Sequence, residues 1–194
     1  MSQTVTTRLE TPEGYRSATV ARFLWQIDEQ RRTLTQDTRG LSPAELEWQA
    51  APGMNSIGML LAHIAFAETH LAQVGLNGET TGHAHDVIGI TEEDEGMPLA
   101  PGAPPAPALS GKDLAFFDAA LASARDHTRA IARTLDDDDL LVDVVRPPRP
   151  DGTRRVLNKG WVLYHILEHE AGHHAQINLL RHLQKVKTAA ATPS

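Results

Sequence analysis

The chain has 194 residues, 41% hydrophobic and only 5% aromatic, which fits one compact domain packed by Leu, Ala, Val and Ile and favours helices over sheets. Its net charge of −7 and pI of about 5.8 exclude the basic footprint of a nucleic-acid binder. The absence of cysteine excludes disulfides, Cys-ligated zinc and catalysis by the protein's own thiols; any thiol chemistry needs a thiol from outside.

Residues 1–12 are polar and read as a loose arm, with no apolar run of the secretory type. Over residues 15–40 the apolar positions Val20, Phe23, Leu24, Ile27 and Leu34 recur at helical spacing, and Gly40 stops the helix. Leu41-Ser42-Pro43-Ala44-Glu45-Leu46 reads as a helical turn with Ser42 as N-cap and Pro43 at the first position. Asn55-Ser56 caps a second helix running to about residue 76. Its apolar run around Met59 and Phe66 is broken by His63 and is too short to span a bilayer, so a soluble, cytoplasmic protein is the expectation.

Residues 78–110 are rich in proline, as in Ala103-Pro104-Pro105-Ala106-Pro107. They read as a long connection, with a solvated surface loop favoured over a functional lid. Ser110 is placed as the cap of a third helix that ends near residue 135, before four consecutive aspartates that oppose the helix dipole. A Pro-rich turn follows, where Asp151-Gly152 can close a small hairpin. Asn158 caps a fourth helix over about residues 159–187, with residues 188–194 as a loose tail. Four long helices in one domain spanning 1–194 predict an all-α four-helix bundle with a long loop between the second and third.

Five of the ten histidines are His165, His169, His173, His174 and His182. On a helical wheel His169 and His173 lie within about 20° of Val162, in the stripe that faces the core, whereas His174 and His182 point away. Two imidazoles at i, i+4 on a buried face are hard to satisfy separately, and their spacing suits one shared cation with bonds near 2.1 Å. In the second helix His63 is an inward histidine among apolar neighbours and the natural third ligand, with His70 its rival. His169-Glu170-Ala171-Gly172-His173 also matches the H-E-x-x-H pattern of zinc peptidases. No Asp or Glu follows Glu170, and the downstream positions for a third histidine ligand are wrong, which argues against a peptidase.

Asn55-Ser56-Ile57-Gly58-Met59-Leu60-Leu61-Ala62-His63-Ile64-Ala65 resembles the second-helix signature of the DinB/YfiT-like superfamily. Tyr164-His165-Ile166-Leu167-Glu168-His169-Glu170-Ala171-Gly172-His173-His174-Ala175-Gln176-Ile177 resembles its last-helix signature. The resemblance implies an up-down-down-up four-helix bundle with a divalent metal on His63, His169 and His173, the trio that face and spacing also single out. Where the family often has arginine-glycine after the last ligand, this chain has His174-Ala175. Some relatives activate a low-molecular-weight thiol for transfer or isomerisation, and relatives are commonly dimeric.

The expected function is that of a metal-dependent thiol S-transferase or isomerase acting on a small molecule. It would carry one zinc, nickel or iron ion, act as a homodimer, and have neither nucleic-acid nor membrane partner. Glu168 and Glu170 are candidates for hydrogen bonding behind the ligands or for proton transfer. Arg149 and Arg154, with Arg155, are candidates for receiving an anionic substrate at the bundle mouth. The alternatives are hydrolysis of a small ester or amide by metal-activated water, and a non-catalytic metal-binding or stress-related protein.

Overall fold

Four long helices form the body of the fold, and each opens on a polar side chain that satisfies an orphan amide of its first turn. The computed structural model describes residues 6–191 except 96, 98 and 149. Ser17 accepts from the Val20 amide to start α1, Ala18–Thr38, whose Val20, Leu24, Ile27 and Leu34 are buried at helical spacing. Ser42 and Glu45 form a reciprocal capping box on α2, Pro43–Glu47, with proline at its first position. Ser56 caps α3, Ile57–His70, which continues as a π-helical turn, Leu71–Leu76. Gly75 in that turn is pressed against the last helix, where an added Cβ would lie 2.8 Å from Val162 Cγ1.

The 78–110 segment is not a solvated loop. It forms α4, Ala84–Ile88, then α5, Glu92–Glu95, and a 3-10 turn at Pro107–Leu109. Ile88, Ile90, Ala106 and Leu109 are buried in the core beside α3. Four anchors at irregular intervals, divided by prolines, leave no periodicity to read. The next long helix, α6, spans Leu114–Ala132 and is capped by Asp113, not Ser110. Gly111, at φ +68°, turns the chain between the two, and the Ser110 hydroxyl donates instead to Glu47. A small antiparallel hairpin follows, β1 Asp143–Val145 and β2 Val156–Asn158, with Val144 opposite Leu157. Its connection turns at Gly152, φ +82°, as Asp151-Gly152 suggested. α7, Lys159–Ala191, starts where Asn158 accepts from the Trp161 amide. It runs about 50 Å and absorbs residues 188–191, which the sequence leaves to a tail.

α3 packs against α6 and α7, and α1 against both of these. That central position explains why α3 is buried almost all round. It is also the one described helix long and apolar enough, as Ile57–Leu76, to cross a membrane, and 72% of it is buried inside the protein. The hydrophobic interior falls into two groups. One joins Leu34, Ile57, Leu60, Ile64, Leu121, Ile177 and Leu180. The other joins Val20, Leu24, Ile27, Leu76, Val162 and Ile166.

On every long helix, charged residues lie between the two groups. Arg125 of α6 binds Glu68 of α3 through Nε at 2.6 Å and Glu170 of α7 through Nη2 at 2.9 Å. Arg31 of α1 binds Glu68 and Glu170, each at 2.8 Å. Asp28 accepts from Arg125 and Arg129, so three guanidiniums face three carboxylates. Burial would raise the Glu68 carboxyl, but the charges of Arg125 and Arg31 outweigh it and hold it at about 2.

Candidate metal centre

α3 and α7 run side by side in opposite directions, since Gly75 meets Val162 while His63 meets His169. That pairing brings the inward histidine of α3 onto the i, i+4 pair of α7. His169 Nε2 lies 3.2 Å from His63 Nε2 and 3.1 Å from His173 Nε2. All three rings are half-buried, and their donor atoms fall within 4.8 Å of one another. Two nitrogens at 2.1 Å from a tetrahedral ion stand about 3.4 Å apart, so the cluster is close to the size a metal requires.

The outer ring nitrogens say which way the lone pairs point. His63 Nδ1 is 2.7 Å from a carboxylate oxygen of Glu95, and His173 Nδ1 is 2.9 Å from the Gln176 side-chain oxygen. Both partners are acceptors, so both histidines donate through Nδ1, and in the neutral imidazole that tautomer turns an Nε2 lone pair inward. His169 Nε2 cannot donate to both. A cation at the centre satisfies what one proton cannot, and the donor set therefore fits a metal ion. Burial, reinforced by the imidazoles of His173, His63 and His165, pushes His169 down to about 3; burial also lowers His173. Neutral imidazole is the ligating form.

Glu95 is the residue that sequence reasoning missed. It ends α5 and is only 3% exposed; it reaches the site from the segment expected to be a solvated loop. Four acids in a row, Glu92 to Glu95, read as surface, and no periodicity marks the last as inward.

The other expected site residues are placed as follows. Glu170 points away from the cluster, with both oxygens engaged by Arg31 and Arg125. Glu168 is exposed on α7, accepting from the Tyr164 hydroxyl and lying 3.0 Å from His165 Nδ1. His165 stacks on Trp161 at 4.4 Å. His70 stacks on Phe66 and takes a hydrogen bond from Arg146, outside the trio. His174 does not point to solvent as the wheel suggested, because α1 covers that side of α7; it lies 2.8 Å from Asp37 and 2.9 Å from Gln30. Arg154 is exposed between the hairpin strands, and Arg149 lies outside the described residues. A cavity of about 910 Å³ sits at the C-terminal end of α7, lined by Trp48, Arg181 and Lys187 among others, and its lining includes none of the three histidines.

No curated protein matches the chain. A family model described as the DinB superfamily matches residues 26–177, a span that contains all three histidines, Glu95 and the buried charge layer. The chain belongs to the DinB superfamily.

Proposed function

We infer that the chain binds one divalent transition metal, zinc, nickel or iron, on His63, His169 and His173, and serves as an enzyme that brings an external low-molecular-weight thiol to a small electrophile for S-transfer or isomerisation. The observation that carries this reading is the convergence of three Nε2 atoms, two of them with lone pairs fixed inward by Glu95 and Gln176. Such an ion supplies positive charge that eases loss of a proton from a thiol or water. Three protein ligands leave room for an incoming molecule, as catalytic sites do. The chain's own residues orient the rings and half-bury them, and burial favours the neutral form of His169 and His173. Having no cysteine, it must take a thiol nucleophile from solution.

The same reading takes the chain as one domain, an up-down-down-up four-helix bundle, acting in the cytoplasm as a homodimer. Exposed Leu179 and Val186 on α7 support the pairing.

The test is metal content by elemental mass spectrometry on untagged protein, followed by a thiol-and-electrophile screen. About one equivalent of metal and turnover that needs added thiol are expected. Turnover without thiol would favour hydrolysis; metal without any turnover would favour a binding protein. Absence of metal even after reloading would overturn the reading. Glu95→Gln keeps the size of the side chain and removes its charge. A 10–100-fold loss of metal affinity is expected, typical when the group behind a histidine ligand is changed. Competition against a chelating dye measures it, and unchanged affinity would remove Glu95 from the site.

A further inference from the structure

The hairpin places two arginines side by side. Continuing the register of β1 and β2, the Arg146 amide donates to the Arg155 carbonyl at 2.9 Å. The two side chains therefore share one face with Val144 and Leu157. That face looks onto the helices, since Leu157 packs against the core group around Val162; Val145 and Val156, on the other face, are exposed. Arg146 Nη2 reaches His70 on α3 at 3.1 Å. The Arg155 guanidinium lies over the Trp161 ring on α7, 4.4 Å from its centre. Like charges directly opposite in a strand pair destabilise it. Among the described residues neither guanidinium has a carboxylate partner, in a chain with 25 acidic residues against 18 basic ones.

Their position relative to the histidines follows from the helices. His70 is seven residues beyond His63, and Trp161 eight before His169, so in antiparallel helices both lie in the same direction, about 10–12 Å away. Aromatic rings line the interval: Phe66 stacked on His70, and His165 between Trp161 and His169. A cavity of about 460 Å³ opens beside Arg155, Leu157 and Trp161, with Asp143 and Asn158 also in its wall.

We propose that Arg146 and Arg155 form a carboxylate-binding subsite, so that the molecule entering the three-histidine centre carries a carboxylate about 10 Å from its reacting end. His70 occupies one Nη of Arg146 and Trp161 only a face of Arg155, which leaves N–H edges on both for a bidentate carboxylate. The aromatic rings between accept an apolar or flat middle. The proposal deepens the thiol reading and takes its reach from it, while the anion subsite stands on the hairpin geometry alone.

Two measurements test it on the full chain. In the first, cobalt(II)-loaded protein is titrated with 8-mercaptooctanoate and with 8-mercaptooctanol, following the sulfur-to-cobalt absorption band. The carboxylate is expected to bind at least tenfold more tightly, and Arg146→Gln with Arg155→Gln to erase the difference. Equal affinities for wild type would overturn the proposed reach. No band with either thiol would count against the thiol reading, not against the arginines. In the second, metal-free protein is titrated with succinate, then with inorganic phosphate, following the Trp161 indole signal by NMR. A saturating shift with succinate, lost in Arg155→Gln, is expected. No shift with succinate, or one with phosphate only, would overturn the carboxylate subsite. Circular dichroism of the variants confirms that they fold.

Discussion

Replacing Glu170 by alanine is expected to lower the stability of the metal-free protein by about 3–5 kcal/mol, the range for removing one partner from a buried ion pair. Glu170 is 1% exposed and its two oxygens take hydrogen bonds from Arg31 Nε at 2.8 Å and from Arg125 Nη2 at 2.9 Å. Without it Arg31 loses two of its four hydrogen bonds and Arg125 one of its four, and both guanidiniums stay largely shielded from water. Simultaneous replacement of Arg31, Arg125, Glu68 and Glu170 by apolar residues of similar volume should cost far less, because no buried charge is stranded. Urea unfolding followed by circular dichroism measures both. A loss under about 1 kcal/mol for Glu170→Ala would mean that water reaches the layer and replaces the missing carboxylate.

The same layer sets part of the acid response. Glu68 is held at about 2, below its ordinary 4.5, so the unfolded chain takes up this proton first as pH falls. Its stabilisation is complete above about 4.5 and is lost on the way down to about 2. His169, lowered to about 3 from an ordinary 6.5, acts in the same direction over a higher window. The unfolded chain gains that proton near 6.5 while the folded one resists it, so the metal-free protein weakens progressively from about pH 6.5 towards 3.

His169→Ala is expected to reduce bound metal from about one equivalent to near zero. His169 Nε2 sits between the other two donors, and a two-histidine remnant retains too few ligands for a tight site. Excess metal at a thousand times its Kd stabilises a folded protein by about 4 kcal/mol; that increment should vanish in the variant. Thermal melts with and without added zinc read it directly. Because the alanine also removes a half-buried imidazole whose protonation is disfavoured, the metal-free variant should hold its stability better than wild type as pH falls from about 6.5. Metal content unaltered by the substitution would place the ion elsewhere.

Much of this was legible in advance. Ser42-Pro43, Ser56 and Asn158 announce helix starts because capping is a local property of a few residues. His169 and His173 stand out because a helix wheel converts spacing into direction. Glu95 was not legible: it meets His63 across 32 residues, through a segment whose packing follows no period. The charge layer was missed because charged side chains are normally exposed. Yet in each long helix a member follows a buried apolar residue by four, Ile27 before Arg31, Ile64 before Glu68, Leu121 before Arg125 and Ile166 before Glu170. A charge on a core stripe in all four long helices at once was a signal available to a wheel plot. His174 misled for a different reason, since one wheel assumes one covered face and α7 is covered on two.

α7 presents His165, His169 and His173 as three rungs of a ladder, spaced by one turn. A slip of α7 by one turn, about 5.4 Å, would set His165 and His169 where His169 and His173 now stand. The histidines alone barely distinguish the two registers. The slip would also carry Ile166 into the place of Glu170, between Arg31 and Arg125, and leave two buried cations facing an alkyl chain. The electrostatic layer thus acts as a ratchet stop, selecting which two rungs meet His63.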